Sequence, residues 1–505
     1  MDRLHPTSLH QLPSDIAVPR YERDALRAGI VHLGVGAFQR AHLAVVTEAA
    51  LHATNDLRWG IVGVSLRQAD TRDALRPQAG LYTVAIRDAG EDGAPRETLQ
   101  VVGNLLDVLV APEDPEAVLQ RIAHADTRIV SLTVTEKGYC HDPATHALRW
   151  DHPDIVHDLA HAAAPRSAVG MLVRGLQRRK ARGLGSVTLL SLDNLPANGH
   201  TLRGLVLAFA DKVDADLAAW IVAACTFPNS MVDRIVPRTT AADRERISAR
   251  LGVRDAWPVL GEPFLDWVVE DRFAAGRPDW AAGGARFVDE AAPYETLKLR
   301  MVNGTHSALA YLGAMAGLAT VDRAIAEPLL RGYIDALMRE EIAPTLPPLP
   351  QLDLDAYRAR LLQRYANPAL QHQTRQIAMD GSQKLPQRLL GSVRDRLNAD
   401  QPIERLALAV AAWLHYLRGV DEAGRAHEIQ DPLAGALAEA MAQADQASQG
   451  VADAQAAERR RVEVFTRLTP LFGDLAAQPR FVAAVARGTQ ALRERGVFGT
   501  LQALC

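Results

Sequence analysis

The chain is short of cysteine, of aromatic residues and of net charge, and each shortage removes a class of protein. Three cysteines in 505 residues, Cys140, Cys225 and Cys505, are too few and too scattered for a disulfide framework and form no C-x-x-C pair. A reducing compartment, and so a cytoplasmic location, is expected. Aromatic residues make up 5% and do not interleave with basic ones, so no stacking platform for nucleic acid is expected. With 56 Lys plus Arg against 60 Asp plus Glu, the net charge of −4 argues against a chain that coats nucleic acid. The basic clusters Arg178-Arg179-Lys180 and Arg459-Arg460-Arg461 lie in helical-looking segments and read as solvated helix faces. Residues 1–19 show no basic region followed by an apolar one, so no signal peptide is expected. The most apolar long stretch, 406–417, has 12 residues, below the roughly 18 to 20 needed to cross a bilayer, and reads as a buried helix.

What is present is a globular composition, 48% hydrophobic and 23% charged, with length for two or three domains. From Gly29 to about Leu192, β-branched runs at 30–33, 59–66, 81–86, 129–135 and 187–192 alternate with helical segments, the signature of parallel strands joined by helices. After about Thr296, apolar residues recur at helical spacing through 309–318, 328–338, 387–397, 406–417, 433–442, 454–466 and 480–493. The expected architecture is an α/β Rossmann-type domain over residues 1–295 and a mostly α-helical domain over 296–505, with a helix break at Gly450.

The first strand runs into Gly34-Val35-Gly36-Ala37-Phe38-Gln39-Arg40-Ala41-His42. Glycines there allow a tight turn and let backbone N–H groups approach a pyrophosphate, making residues 34–38 the candidate cofactor cradle. The third glycine of G-x-G-x-x-G/A is replaced by Gln39, so strand and helix must pack differently. After the second strand, Asp70 suits the ribose hydroxyls of NAD and Arg67 would tolerate a 2′-phosphate; NAD is favoured.

The segment from Tyr294 to His306 carries Glu295, Lys298, Asn303 and His306 within about 140° of arc on an ideal helix. An acid, an amine, an amide and an imidazole on one face are costly to bury unless they serve one another or a ligand. They supply a proton donor and acceptor, a carbonyl-polarising amide and an orienting ring, the parts hydride transfer needs. For alcohol oxidation the lysine must be neutral, which calls for burial or cationic neighbours; Arg300 and Lys384 are available. Tyr294-x-x-x-Lys298 also matches the pair of short-chain dehydrogenases, but its distance from the glycine turn is about twice what that family requires and the turn lacks the G-x-x-x-G-x-G form. The run Cys140, His141, His146, His152, His157 and His161 could ligate a metal, yet no spacing matches a zinc motif and an ordinary solvated loop is favoured; no metal is expected in the chemistry.

Lys298, Asn303 and His306, with GVGAFQRAH at 34–42, SLTVTEKGYC at 131–140, SLDNLPANG at 191–199, FPNSMVDRIVP at 227–237, GRPDW at 276–280 and MDGSQKLPQR at 379–388, resemble the polyol-specific long-chain dehydrogenases of the mannitol dehydrogenase family over nearly the whole chain. The last block is similar to the fructuronate reductase branch. The resemblance implies NAD(H), no catalytic metal, and a small sugar acid or polyol as substrate, with no nucleic acid or membrane partner and a monomer or weak oligomer. It implies Lys298 as general acid/base, Asn194 and Asn303 as oxyanion hole, Glu295 as proton relay, and His306, Asp233 and Lys384 as substrate-positioning residues. A uronate would need a further cation, for which Arg300, Lys384 and Arg388 are candidates. Gln371 and Gln373 stand where fructuronate reductases often carry basic residues, with Arg375 nearby as a substitute, so interconversion of mannitol and fructose is the alternative. A dinucleotide-binding sensor with a decayed site would have lost the lysine, asparagine or histidine, and all are present.

Overall fold

The computed structural model describes residues 1–89, 94–142, 145–349 and 352–504, so Cys505 lies outside the described residues. The chain divides into two compact units, Met1–Ala292 and Pro293–Cys505. The strands of the first unit are β1 (Ile30–Leu33), β2 (Ile61–Ser65), β3 (Tyr82–Ala89), β4 (Pro95–Val102), β5 (Leu105–Val110), β6 (Ile129–Leu132), β7 (Val187–Ser191), β8 (Cys225–Thr226), β9 (Ser230–Asp233), β10 (Val259–Gly261), β11 (Asp266–Glu270) and β12 (Ala285–Val288).

Six strands form a wholly parallel sheet in the order β5-β2-β1-β6-β7-β8. β1, β2, β6 and β7 are buried along their length, as a sheet covered on both faces requires, which is why they read as short apolar runs. Val31, Leu33, Val64 and Val130 join one hydrophobic core, and Ile30, Ile61, Ile129 and Leu190 join another. His32 of β1 is fully buried between Ser131 Oγ and Thr133 Oγ1, each 2.8 Å away, and burial pushes its imidazole down to about 3. The chain runs from β1 outward to β2 and β5, then returns to β6 on the other side of β1, so the topological switch falls at the C-terminal end of β1.

Segment 81–86 does not join this sheet. It is β3, antiparallel to β4 and parallel to β10 in a separate three-stranded sheet, and β5, not among the expected strands, takes the edge of the parallel one. In β4, Leu99 and Val101 join one core and Val102 another, so the sheet is covered on both faces at this end, while Arg96, Glu97 and Thr98 are more accessible. A third sheet, β12-β11-β9, places Asp233 opposite Asp266. Arg179 departs from the expected solvated face: it is buried, and its guanidinium donates to the carbonyls of Gly185 at 2.7 Å and His124 at 2.9 Å.

The second unit is helical. The apolar stretch forms Glu404–Tyr416, buried on all sides from Leu406 onward, and among the described residues no helix is long and apolar enough to cross a membrane. The Ala-rich pair Ala434–Ser448 and Ala454–Thr466 breaks at Gly450, which sits at φ 73°. Three expected helices are interrupted by π-helical stretches, Lys298–Gly304, Leu337–Ile342 and Pro386–Leu390, each with the i→i+5 bonding that admits an extra residue per turn.

Candidate active site

The glycine turn stands at the end of β1. Gly34 has φ 92°, and a Cβ there would lie 2.1 Å from the carbonyl oxygen of Thr133, so only glycine fits. Gly36 N-caps the short helix Ala37–Ala41, and a Cβ on it would meet nothing nearer than 3.8 Å. Gly34, Val35 and Gly36 line an open groove of about 1280 Å³, together with Arg67 and Asp70 beyond β2 and Thr133 beyond β6. Ala37 and Phe38 do not line it; Phe38 stacks on His42 with ring centroids 5.0 Å apart. Gln39, at the missing third glycine, is fully buried, and neither of its amide atoms finds a hydrogen-bond partner among the described residues. The close approach that glycine would provide comes from β2 instead: a Cβ on Gly63 would lie 2.7 Å from Val35.

Asn194 is exposed in the turn after β7, and the turn is clamped from both sides by residues that sequence reasoning missed. The buried Asp193 carboxylate accepts the N–H groups of Val134 and Thr135, both at 2.9 Å, and the Tyr139 hydroxyl at 2.8 Å. Burial raises its pKa against these bonds. Asn198 donates to the carbonyls of Ser191 at 3.2 Å, Asp193 at 3.1 Å and Ser230 at 2.8 Å, while Asn229 accepts from Gly199 N–H at 3.0 Å and donates to Glu270 at 3.1 Å. Their signal was polarity at the ends of apolar strands. Asp233 is buried at the end of β9.

In the second unit Lys298 opens the first π-helical stretch and is 7% exposed; Glu295, partly exposed, precedes it in Ala292–Leu297. The 140° arc assumed regular α-helix and does not apply across Lys298–Gly304. This stretch approaches Pro386–Leu390 closely: a Cβ on Gly304 would lie 2.6 Å from the Arg388 carbonyl oxygen. Arg388, partly buried, donates through Nη1 to Ser307 Oγ at 3.0 Å and to the Asn303 carbonyl at 3.5 Å.

His306 stacks on Tyr365, centroids 5.3 Å apart, and meets His372 edge-on at 5.0 Å. His306 is partly exposed, yet burial, then the neighbouring His372 and the cations Arg364, Arg388 and Lys384, hold its imidazole well below the ordinary histidine range. It is neutral near pH 7. Lys384 donates to the carbonyls of Ile377 and Met379, and burial followed by repulsion from Arg388 lowers its pKa. Lys384, Arg388, His306 and Asn303 are thus brought together, with Arg364 and His372 as members that no motif marked. Arg300 is not part of this group. Its guanidinium donates to the Thr345 carbonyl at 2.8 Å and to Asp395 at 2.5 Å, because it leaves the π-helical stretch toward the Thr345 segment. Arg375 lies 3.7 Å from the Asp421 carboxylate, while Gln371 and Gln373 are exposed.

The strand order and the glycine turn define an α/β unit of the dinucleotide-binding class, followed by a helical unit. Residues 28–282 match the family model described as the mannitol dehydrogenase Rossmann domain, and residues 290–493 the mannitol dehydrogenase C-terminal domain. The chain therefore belongs to the mannitol dehydrogenase family of oxidoreductases. It is 43% identical to the uncharacterized oxidoreductase YeiQ of Escherichia coli strain K12, across 98% of this chain and 97% of that protein. It is also 43% identical to D-mannonate oxidoreductase of the same strain, across 97% of this chain and 98% of the relative. Pseudomonas fluorescens mannitol 2-dehydrogenase, solved as a ternary complex with NAD and D-mannitol, is 37% identical with a TM-score of 0.82 over 99% of each chain.

Proposed function

We propose that the chain interconverts D-fructuronate and D-mannonate with NAD(H), by hydride transfer and without a metal in the chemistry. The observation that carries the uronate reading is the grouping of Lys384, Arg388 and Arg364 about a neutral His306, where each cation depresses the imidazole. A carboxylate would relieve that accumulation of positive charge, whereas an uncharged ketose would not. The relative named D-mannonate oxidoreductase supports the same reading.

The groove suits a dinucleotide, because Gly36 leaves open the space a side chain would fill and Asp70 stands beyond β2 for the ribose. Val35 completes the turn, Ala37 and Phe38 begin the helix behind it, and Arg67 lies on the groove wall. When bound, the nicotinamide supplies or takes the hydride. Lys298 Nζ gives a proton to the ketone oxygen during reduction and takes it back from the hydroxyl during oxidation. The side-chain amides of Asn194 and Asn303 donate to that oxygen as negative charge develops. Neutral His306 bonds a substrate hydroxyl, Asp233 and Lys384 position the sugar, Arg388 pairs with the carboxylate, and Glu295 passes the proton between Lys298 and solvent.

Interconversion of mannitol and fructose is the second reading, favoured by uncharged Gln371 and Gln373 and by the likeness to a mannitol 2-dehydrogenase. Measuring kcat/KM with NADH for fructuronate and fructose separates the two. Fructuronate is expected to be the better substrate by tenfold or more, and a preference for fructose would replace this assignment with the second.

A further inference from the structure

Away from the proton-transfer residues, Cys140, His152 and Asp154 come together on the groove wall, one ligand atom of each within 4.8 Å of the other two. The backbone holds them there. Cys140 closes the turn Glu136–Tyr139 in a left-handed conformation, φ 52°, and His152 and Asp154 flank Pro153 at the start of the helix Pro153–Ala160. Among the described residues, the buried Cys140 sulfur has one long hydrogen-bond contact, 4.0 Å to the Gly138 carbonyl.

His152 Nδ1 lies 4.0 Å from Asp154 Oδ2 and, among the described residues, otherwise accepts only the Asp154 N–H at 3.2 Å. Two such ligands on a tetrahedral ion would stand about 3.4 Å apart, so a small closure brings them into range. Burial, then the negative neighbours Asp154 and Asp158, push the Cys140 thiol up to about 11, with Arg149 opposing them, so the sulfur is a protonated thiol until an ion takes the place of its proton.

We propose that Cys140, His152 and Asp154 bind a divalent transition cation of the zinc type, separate from the hydride chemistry. One thiolate, one imidazole and one carboxylate make a borderline-soft donor set that suits zinc rather than magnesium or calcium. On binding, the Cys140 thiol releases its proton to solvent and its sulfur bonds the ion, with no change of oxidation state. Nδ1 gives up its capping bond, and the fourth position is left to water. The ion fastens the Glu136–Tyr139 turn to the Pro153–Ala160 helix, two segments that together form one wall of the cofactor groove.

The test uses the full chain, stripped with a chelator and titrated with Zn²⁺ alone against a chromophoric competitor. Co²⁺ serves in parallel as a spectroscopic probe. One tightly bound equivalent is expected, with a thiolate-to-cobalt charge-transfer band that Cys140→Ser abolishes. His152→Ala and Asp154→Asn should each weaken Zn²⁺ binding by tenfold or more while far-UV circular dichroism stays native. Zinc should raise the melting temperature of the parent chain and of neither variant. A cobalt complex without a thiolate band, or zinc affinity unchanged in His152→Ala and Asp154→Asn, overturns the proposal. If Cys140→Ser fails to fold, the parent's cobalt spectrum and the other two variants decide it.

Discussion

Arg388 ties structure to charge at a single nitrogen: Nη1 holds Ser307 and the Asn303 carbonyl, while the guanidinium adds its field to that of Lys384 and Arg364 around His306. Arg388→Gln is expected to lower kcat/KM for fructuronate by about 10- to 100-fold, as loss of a charge-assisted bond of about 1.5–3 kcal/mol requires, and to change fructose reduction far less. An equal loss on both substrates would show that the arginine only packs. Lys298→Ala should cut turnover in both directions by about 10²–10⁴-fold while NADH titration stays normal. Near-normal kcat in that variant would remove lysine from the proton transfer. The sequence distinguished lysine, asparagine and histidine as chemical groups, but could not choose between arginines. Arg300 and Arg388 are both basic and both near the motif, and only the π-helical path turns Arg300 to Asp395. Arg364 and His372 escaped notice because nothing about a lone arginine or histidine announces a neighbour some 60 residues away.

Among the elements, the glycine turn has the narrowest tolerance. Gly34→Ala must hold an L-residue at φ 92° with its Cβ 2.1 Å from a carbonyl oxygen, so the end of β1 has to move. The left-handed conformation alone costs about 1–2 kcal/mol. NADH affinity is expected to fall at least tenfold by fluorescence titration, and unchanged affinity would mean that the turn is not the cradle. Parallel strands buried on both faces were legible as apolar runs, and β1 and the helix Ala454–Thr466 fall where expected. β4 and β5 were not legible: Arg96, Glu97 and Thr98 make the first half of β4 polar, and Asp107 breaks the short apolar run of β5. The π-helical stretches were invisible because i→i+5 bonding leaves no compositional trace.

Over the whole molecule, buried titratable groups give stability two opposing dependences on pH. Glu48, enclosed with Tyr21 and the Gly103 N–H, has its carboxyl pushed by burial from 4.5 up to about 7. A folded-state value above the unfolded one means its contribution is full below about 4.5 and lost as pH rises through 7, a loss on the order of 3 kcal/mol. His32 and His415 act the other way. Burial holds them at about 3 and about 4, so their contribution is present above 6.5 and is lost as pH falls. Urea midpoints should therefore show Glu48→Gln gaining on the parent chain between pH 5 and pH 8. An equal difference at both pH values would place the proton elsewhere.

The π-helical stretch at Lys298 carries a consequence for inheritance. Each such stretch is equivalent to one codon more than a regular helix needs, so an in-frame loss of a single residue between Lys298 and Gly304 would let the backbone relax into ordinary i→i+4 bonding. The helix would be mended, and because the wide turn is what takes up the extra residue, Asn303 and His306 would keep nearly the same facing about the axis relative to Lys298. A gain or loss of one residue is thus absorbed at this one position in the gene without changing how His306 faces relative to Lys298.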